Sequence, residues 1–208
     1  MPLKKLPTDP QTVVNWLTSA DPARRAAAFT LFRIPPDYER PKNVELHFLQ
    51  LDEDPEYEAA VSLRNTGAAL LMDKRGAAWF GTVIEVGETG LGGDLRLSSR
   101  RLTSDKYEAL LVFTEGRSET GTTISLEIIT LGQNGFHIAH RAVLYDIEWD
   151  GFTGTETEQL GHIETARHFK ELVLLDRFGR KKCEAFTWNP AIVKFVPNAD
   201  ATRALCKP

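Results

Sequence analysis

The densest chemistry in the chain runs from His140 to Gly151, His-Arg-Ala-Val-Leu-Tyr-Asp-Ile-Glu-Trp-Asp-Gly. Asp146, Glu148 and Asp150 take alternate positions, with Val143, Tyr145, Ile147 and Trp149 between them. An extended backbone therefore carries three carboxylates on one face and an apolar, aromatic stripe on the other. Carboxylates at this spacing can hold a hard divalent cation, and with Gly151 they resemble the first half of an acidic calcium loop. The likeness then stops, because an EF-hand spacing calls for a bidentate acid at Thr157, and Glu156 and Glu158 are each one place out. The ridge reads as a solvated face, as a metal site of Asp146, Glu148 and Asp150, or as a surface that meets a cationic partner.

Positive charge gathers in two places. Arg177, Arg180, Lys181 and Lys182 sit at one hairpin tip around Phe178, and Arg96, Arg100, Arg101 and Lys106 on another segment. Together they would suit a phosphate chain, with the ring free to stack on a base. A basic turn is more often only a solvated one.

None of the five histidines falls in a ligand box. His137 and His140 are three apart on an extended segment and so point to opposite faces, while His162 and His168 would lie about 240° apart on a helix. Cys183 reads as a small core residue before it reads as a nucleophile. There is no G-x-S-x-G elbow, P-loop or dinucleotide fingerprint, so no cofactor is expected beyond a divalent cation on the acidic ridge.

The elements that must position these groups are written in the periodicity. Asp9-Pro10 and Asp21-Pro22 each place an N-cap before a proline at the first helical position, predicting a helical pair within about 9–34 that ends at Ile34-Pro35-Pro36. Its apolar residues include Val13, Val14, Leu17, Phe29 and Phe32, and call for burial against a sheet. From about 43 to 151 the period is two, with turns such as Asn65-Thr66-Gly67 and Asp73-Lys74-Arg75-Gly76 too short for parallel crossovers.

Leu160, Ile163, Ala166 and Phe169 recur every third residue after the capping pair Thr155 and Glu158, which predicts a helix over about 156–170. Read instead as a strand, the same stretch would line up His162, Glu164 and His168 on one face. A C-terminal hairpin is expected over about 171–196.

The fold expected is α+β and mainly β: one antiparallel β-sandwich or open barrel of about eight to eleven strands, with an N-terminal helical pair and one late helix. At 208 residues the chain suits a single β-rich domain. A formal charge of −4 gives no basic field to draw in nucleic acid. No window reaches a membrane span, and two cysteines, Cys183 and Cys206, are too few for a disulfide framework. The expectation is a cytoplasmic protein with free thiols.

With no complete catalytic constellation, the chain reads as a non-enzymatic binding or assembly module, its partner a protein ahead of nucleic acid. The candidate surface is the ridge together with the acidic run Asp52, Glu53, Asp54, Glu56 and Glu58, if the fold joins them. The alternative is a divalent-metal-dependent phosphodiesterase or nuclease, whose acids and basic tip would have to share a cleft.

Overall fold

A computed structural model of the chain describes residues 1–35, 41–63, 66–85, 94–117, 121–150, 155–166, 171–176 and 183–206. Side chains are described throughout these except at 85, 117, 121, 144–150, 155–166 and 171–176.

The two Asp-Pro signals open two helices, α1 (Pro10–Leu17) and α2 (Pro22–Phe32). Asp9 accepts from the Thr12 N–H at 3.0 Å and the Thr12 hydroxyl at 2.6 Å, and Asp21 accepts from the Ala23 N–H at 2.9 Å. These bonds satisfy amides that the helix start leaves without partners. The Thr12 bonds also hold the Asp9 carboxyl below its ordinary range. Asp9→Ala is expected to cost about 1 kcal/mol in chemical denaturation; an unchanged midpoint would mean that proline alone sets the start of α1.

The strands form two antiparallel sheets. The first contains β1 (Lys4–Lys5), β2 (Val44–Leu49), β3 (Glu58–Leu63), β4 (Ala68–Arg75) and β5 (Ala78–Glu85), in the order β1-β5-β4-β3-β2. Gly67 and Gly76, at φ of 65° and 60°, make the left-handed turns that join β3 to β4 and β4 to β5. The second contains β6 (Asp94–Arg100), β7 (Ala109–Arg117), β8 (Gly121–Gly132), β9 (Gly135–Asp150), β10 (Thr155–Ala166), β11 (Glu171–Asp176), β12 (Glu184–Asn189) and β13 (Lys194–Pro197), each beside its neighbour in sequence.

Three apolar layers hold this together. Val13, Leu17, Phe29 and Phe32 of the helices pack on Ala59, Val61, Leu63, Leu70 and Met72 of the first sheet. The other face of that sheet, Leu49, Ala60, Ala69, Leu71 and Ile84, packs on Leu95, Leu97, Leu110, Val112, Ile129 and Phe136 of the second. Strands β3 and β4 are buried on both faces, so that even Glu58 and Ser62 of β3 are enclosed.

The third layer arises because the second sheet curls. Strand β9 carries an extra residue against β8 at two points, Ala139 and Leu144, where the register shifts. A bulge bends its strand and increases the local twist. The sheet turns back far enough that Phe186 of β12 and Phe195 of β13 cover Leu111, Leu126, Ile128 and Ala139.

The mainly β, antiparallel architecture with a helical pair and one late helix is as expected, with thirteen strands among the described residues instead of eight to eleven. The late helix is elsewhere. Residues 155–166 form a strand, β10, paired with both β9 and β11, where the spacing predicted a helix over 156–170. Gly161 at the centre and the β-branched Thr155, Thr157, Ile163 and Thr165 weaken a helix, and two ladders outweigh the three-residue apolar repeat. The late helix is α3 (Ala199–Leu205), beyond the hairpin expected over about 171–196.

The thiols are also a correction, since Cys183 and Cys206 are joined by a disulfide with Cα atoms 5.5 Å apart. Asn198 caps α3 by accepting from the Asp200 and Ala201 amides, and Thr202 Oγ1 accepts from the Ala185 N–H at 2.9 Å, folding the helix back along β12. That placement, invisible in a spacing of 23 residues, brings the sulfurs together.

Candidate functional site

The acids that the described structure concentrates are those of the β2–β3 connection. The loop is pinned by its own backbone: Asp52 Oδ1 accepts from the Asp54 N–H at 2.9 Å, and Asp54 Oδ1 from the Glu56 N–H at 2.8 Å. Gln50 crosses beneath, its amide donating to the carbonyls of Asp52 and Asp54 at 3.1 and 2.6 Å. Glu58, the first residue of β3, sits opposite Leu49 and is 1% exposed. Its Oε2 accepts from the Leu51 N–H at 2.6 Å, while its Oε1 has no partner among the described residues. One carboxylate oxygen from each of Asp52, Asp54 and Glu58 lies within 4.8 Å of the others.

This loop forms one wall of a recess of about 680 Å³ at the end of the sandwich, between the β4–β5 hairpin of one sheet and the β8–β9 turn of the other. Asp73, Lys74 and Arg75 line it from β4, Gly132 and Gln133 from the turn, and Tyr107 from the strand connection. The two cations are already committed. Lys74 Nζ donates to Glu56 Oε1 at 2.8 Å, and Arg75 Nε to Asp73 Oδ2 at 2.7 Å with its guanidinium over the Phe80 ring.

Burial and crowding show in the titration. Desolvation, with repulsion from Asp52 and Asp54 behind it, pushes the Glu58 carboxyl up to about 8. Asp52 and Asp73 are raised too, in each case first by burial. Burial and the neighbouring carboxylates thus favour the protonated form of Glu58.

A second recess, of about 510 Å³, lies where β9 meets β13. His137 and His140 both line it, although simple alternation puts them on opposite faces. The extra residue Ala139 between them absorbs one step of the alternation. His140 packs edge-on to Phe186 at 4.4 Å, and burial lowers its pKa, which favours the neutral ring.

The sequence-predicted site residues are distributed differently. Asp146, Glu148 and Asp150 lie on β9 as expected for a strand, with Asp146 in register with Thr123 and Gln159, but their side chains are outside the described residues. Arg177, Arg180, Lys181 and Lys182 lie outside them altogether. On the other basic segment, Arg96 donates to Asp94 at 3.1 Å on β6, an edge strand.

The acidic run and the ridge do not meet. The run faces the β8–β9 turn at Gly132, whereas Asp146 to Asp150 occupy the far end of the same hairpin. At about 3.3 Å per residue, the eleven steps from Gly135 to Asp146 alone are roughly 36 Å of strand. The run was legible as acidic surface. Its capacity to converge on one point was not, although Asp52, Asp54, Glu56 and Glu58 do occupy alternate positions. Comparison of the chain with protein-family models, with curated proteins and with solved structures finds no match.

Proposed function

We propose that this chain is a non-enzymatic binding or assembly module that meets a cationic protein partner at the acidic recess. The observation that carries the reading is the excess of negative charge there: Asp52, Glu53, Asp54, Glu56 and Asp73 line the recess against two cations, Lys74 bound to Glu56 and Arg75 to Asp73. Phe48 on the edge strand β2 and Tyr57 in the β2–β3 connection, each 59% exposed, offer apolar surface on the same hairpin as the acids. Acids around a recess steer an opposite charge toward it and add little to the stability of the free protein.

A metal-dependent phosphodiesterase or nuclease, the alternative, needs cations free to hold a phosphate beside the acids. The pairing of Lys74 with Glu56 and of Arg75 with Asp73 favours the binding reading. No helix among the described residues is long and apolar enough to cross a membrane. The Cys183–Cys206 bond supports an oxidising compartment over the reducing cytoplasm.

Glu53 is exposed, and its replacement by lysine should leave the fold intact while slowing capture of a cationic partner several-fold at low salt. Binding kinetics of partners recovered with the wild-type chain, measured at low and moderate salt, test this. If wild-type and Glu53→Lys baits recover the same proteins at the same rates in both salts, the recess is not the binding surface.

A further inference from the structure

We infer that Asp52, Asp54 and Glu58 form a binding site for a hard divalent cation, calcium because its flexible coordination suits three acids of an irregular loop. The inference goes beyond the partner reading and stands or falls separately from it.

Each of the three carboxylates has one oxygen tied to a backbone N–H of the loop, which fixes its orientation and leaves the second oxygen to a ligand. Acids in a loop are common on protein surfaces and by themselves indicate nothing. The independent sign is Glu58, whose Oε1 is buried without a hydrogen-bond partner among the described residues, on a side chain 1% exposed. An oxygen left in that state is costly unless something completes its contacts.

Size selects what completes them. A guanidinium or an ammonium on a partner side chain is too bulky to reach a shielded oxygen. A bare calcium ion, with oxygens at about 2.3–2.6 Å, is smaller than a water molecule. Oxygens on opposite sides of calcium stand roughly 4.6–5.2 Å apart, and those on opposite sides of magnesium roughly 4.0–4.2 Å. One oxygen from each of the three acids lies within 4.8 Å of the others, a spacing that calcium, with its flexible shell, can bridge. Three protein carboxylates leave coordination positions for water, which the recess has room to supply. Local charge agrees, because Lys74 and Arg75 form their ion pairs with Glu56 and Asp73 and not with these three acids.

The test is calorimetric titration of the full chain, stripped with chelator, with calcium alone and then with magnesium alone. Wild type should bind one calcium ion per chain, melt at higher temperature with it, and respond at least about tenfold more weakly to magnesium. Glu58→Gln and the exposed Asp54→Asn should each weaken calcium binding by about tenfold or more. Exchanging Asp146, Glu148 and Asp150 together for amides should leave it unchanged. Should Glu58→Gln fold poorly, Asp54→Asn with terbium luminescence excited through Tyr107 gives the same answer. No calcium heat and no melting shift at millimolar calcium would overturn the site, as would full retention by both variants. An equal response to magnesium would overturn the assignment to calcium. Capture experiments with Glu53→Lys run in chelator report on the partner alone.

Discussion

In chelator, the wild-type chain is expected to lose stability as the pH rises from about 5 to about 8, and Glu58→Gln to remove most of that loss. Glu58 has an ordinary carboxyl pKa unfolded and one of about 8 folded. Between those values the folded state holds a proton that the unfolded state has released, so raising the pH favours unfolding. The contribution is absent below pH 4.5 and complete above pH 8. Carrying this carboxyl from 4.5 to about 8 corresponds to a cost of up to about 5 kcal/mol once it ionises.

Asp52 and Asp73, also raised, add to the decline with the same sign. His137 and His140, lowered by burial, act the other way, gaining stability as the pH rises through the ordinary histidine range. The difference between wild type and Glu58→Gln isolates Glu58 from all four. The amide keeps an oxygen for the Leu51 N–H and turns a donor toward Asp52 and Asp54. Urea denaturation at pH 5, 7 and 9 measures the effect. Parallel curves for the two proteins would mean that Glu58 is ionised, or rearranges at little cost.

The second large effect is expected at the disulfide. Reduction, or the double variant C183S/C206S, should cost about 3 kcal/mol, the loop-closure entropy of a ring with a 23-residue separation. The loss should be local first, because α3 is otherwise held to β12 by the Ala185–Thr202 and Asn198–Thr187 bonds and a small apolar contact around Ala185 and Ala201. Limited proteolysis should therefore cut within 198–206 in the reduced chain before the rest unfolds. Identical denaturation midpoints and digestion patterns with and without reductant would show that packing alone holds the helix.

What the sequence made legible was whatever is decided locally. Asp9-Pro10 and Asp21-Pro22 set the helix starts with no outside help, and Val44, Leu46 and Phe48 announced β2 by alternation alone. The stretch 155–166 failed because its local signals were divided and its partners, β9 and β11, decided the matter. His137 and His140 were put on opposite faces because a bulge at Ala139 leaves no mark in composition. The recess was out of reach for a similar reason. Each acid from Asp52 to Glu58 is visible, but their meeting with Asp73, and the burial of Glu58, depend on how three hairpin ends come together.

The position of β1 bears on the order of folding. Every ladder of the second sheet joins strands adjacent in sequence, and so do those from β2 to β5, which lets each hairpin close soon after its second strand exists. Strand β1 differs: Lys4 pairs with Gly81, and the Leu6 N–H donates to Trp79 O at 2.8 Å. During synthesis β1 emerges before β5 and must wait for it before it has an edge to join. Its docking seals that edge of a sheet already assembled, and Gly81, where any side chain would strike Leu6 and the Leu71 carbonyl, keeps the berth open. Within the first sheet the earliest strand is the one paired last, and until it arrives β5 presents a bare edge to any strand that passes.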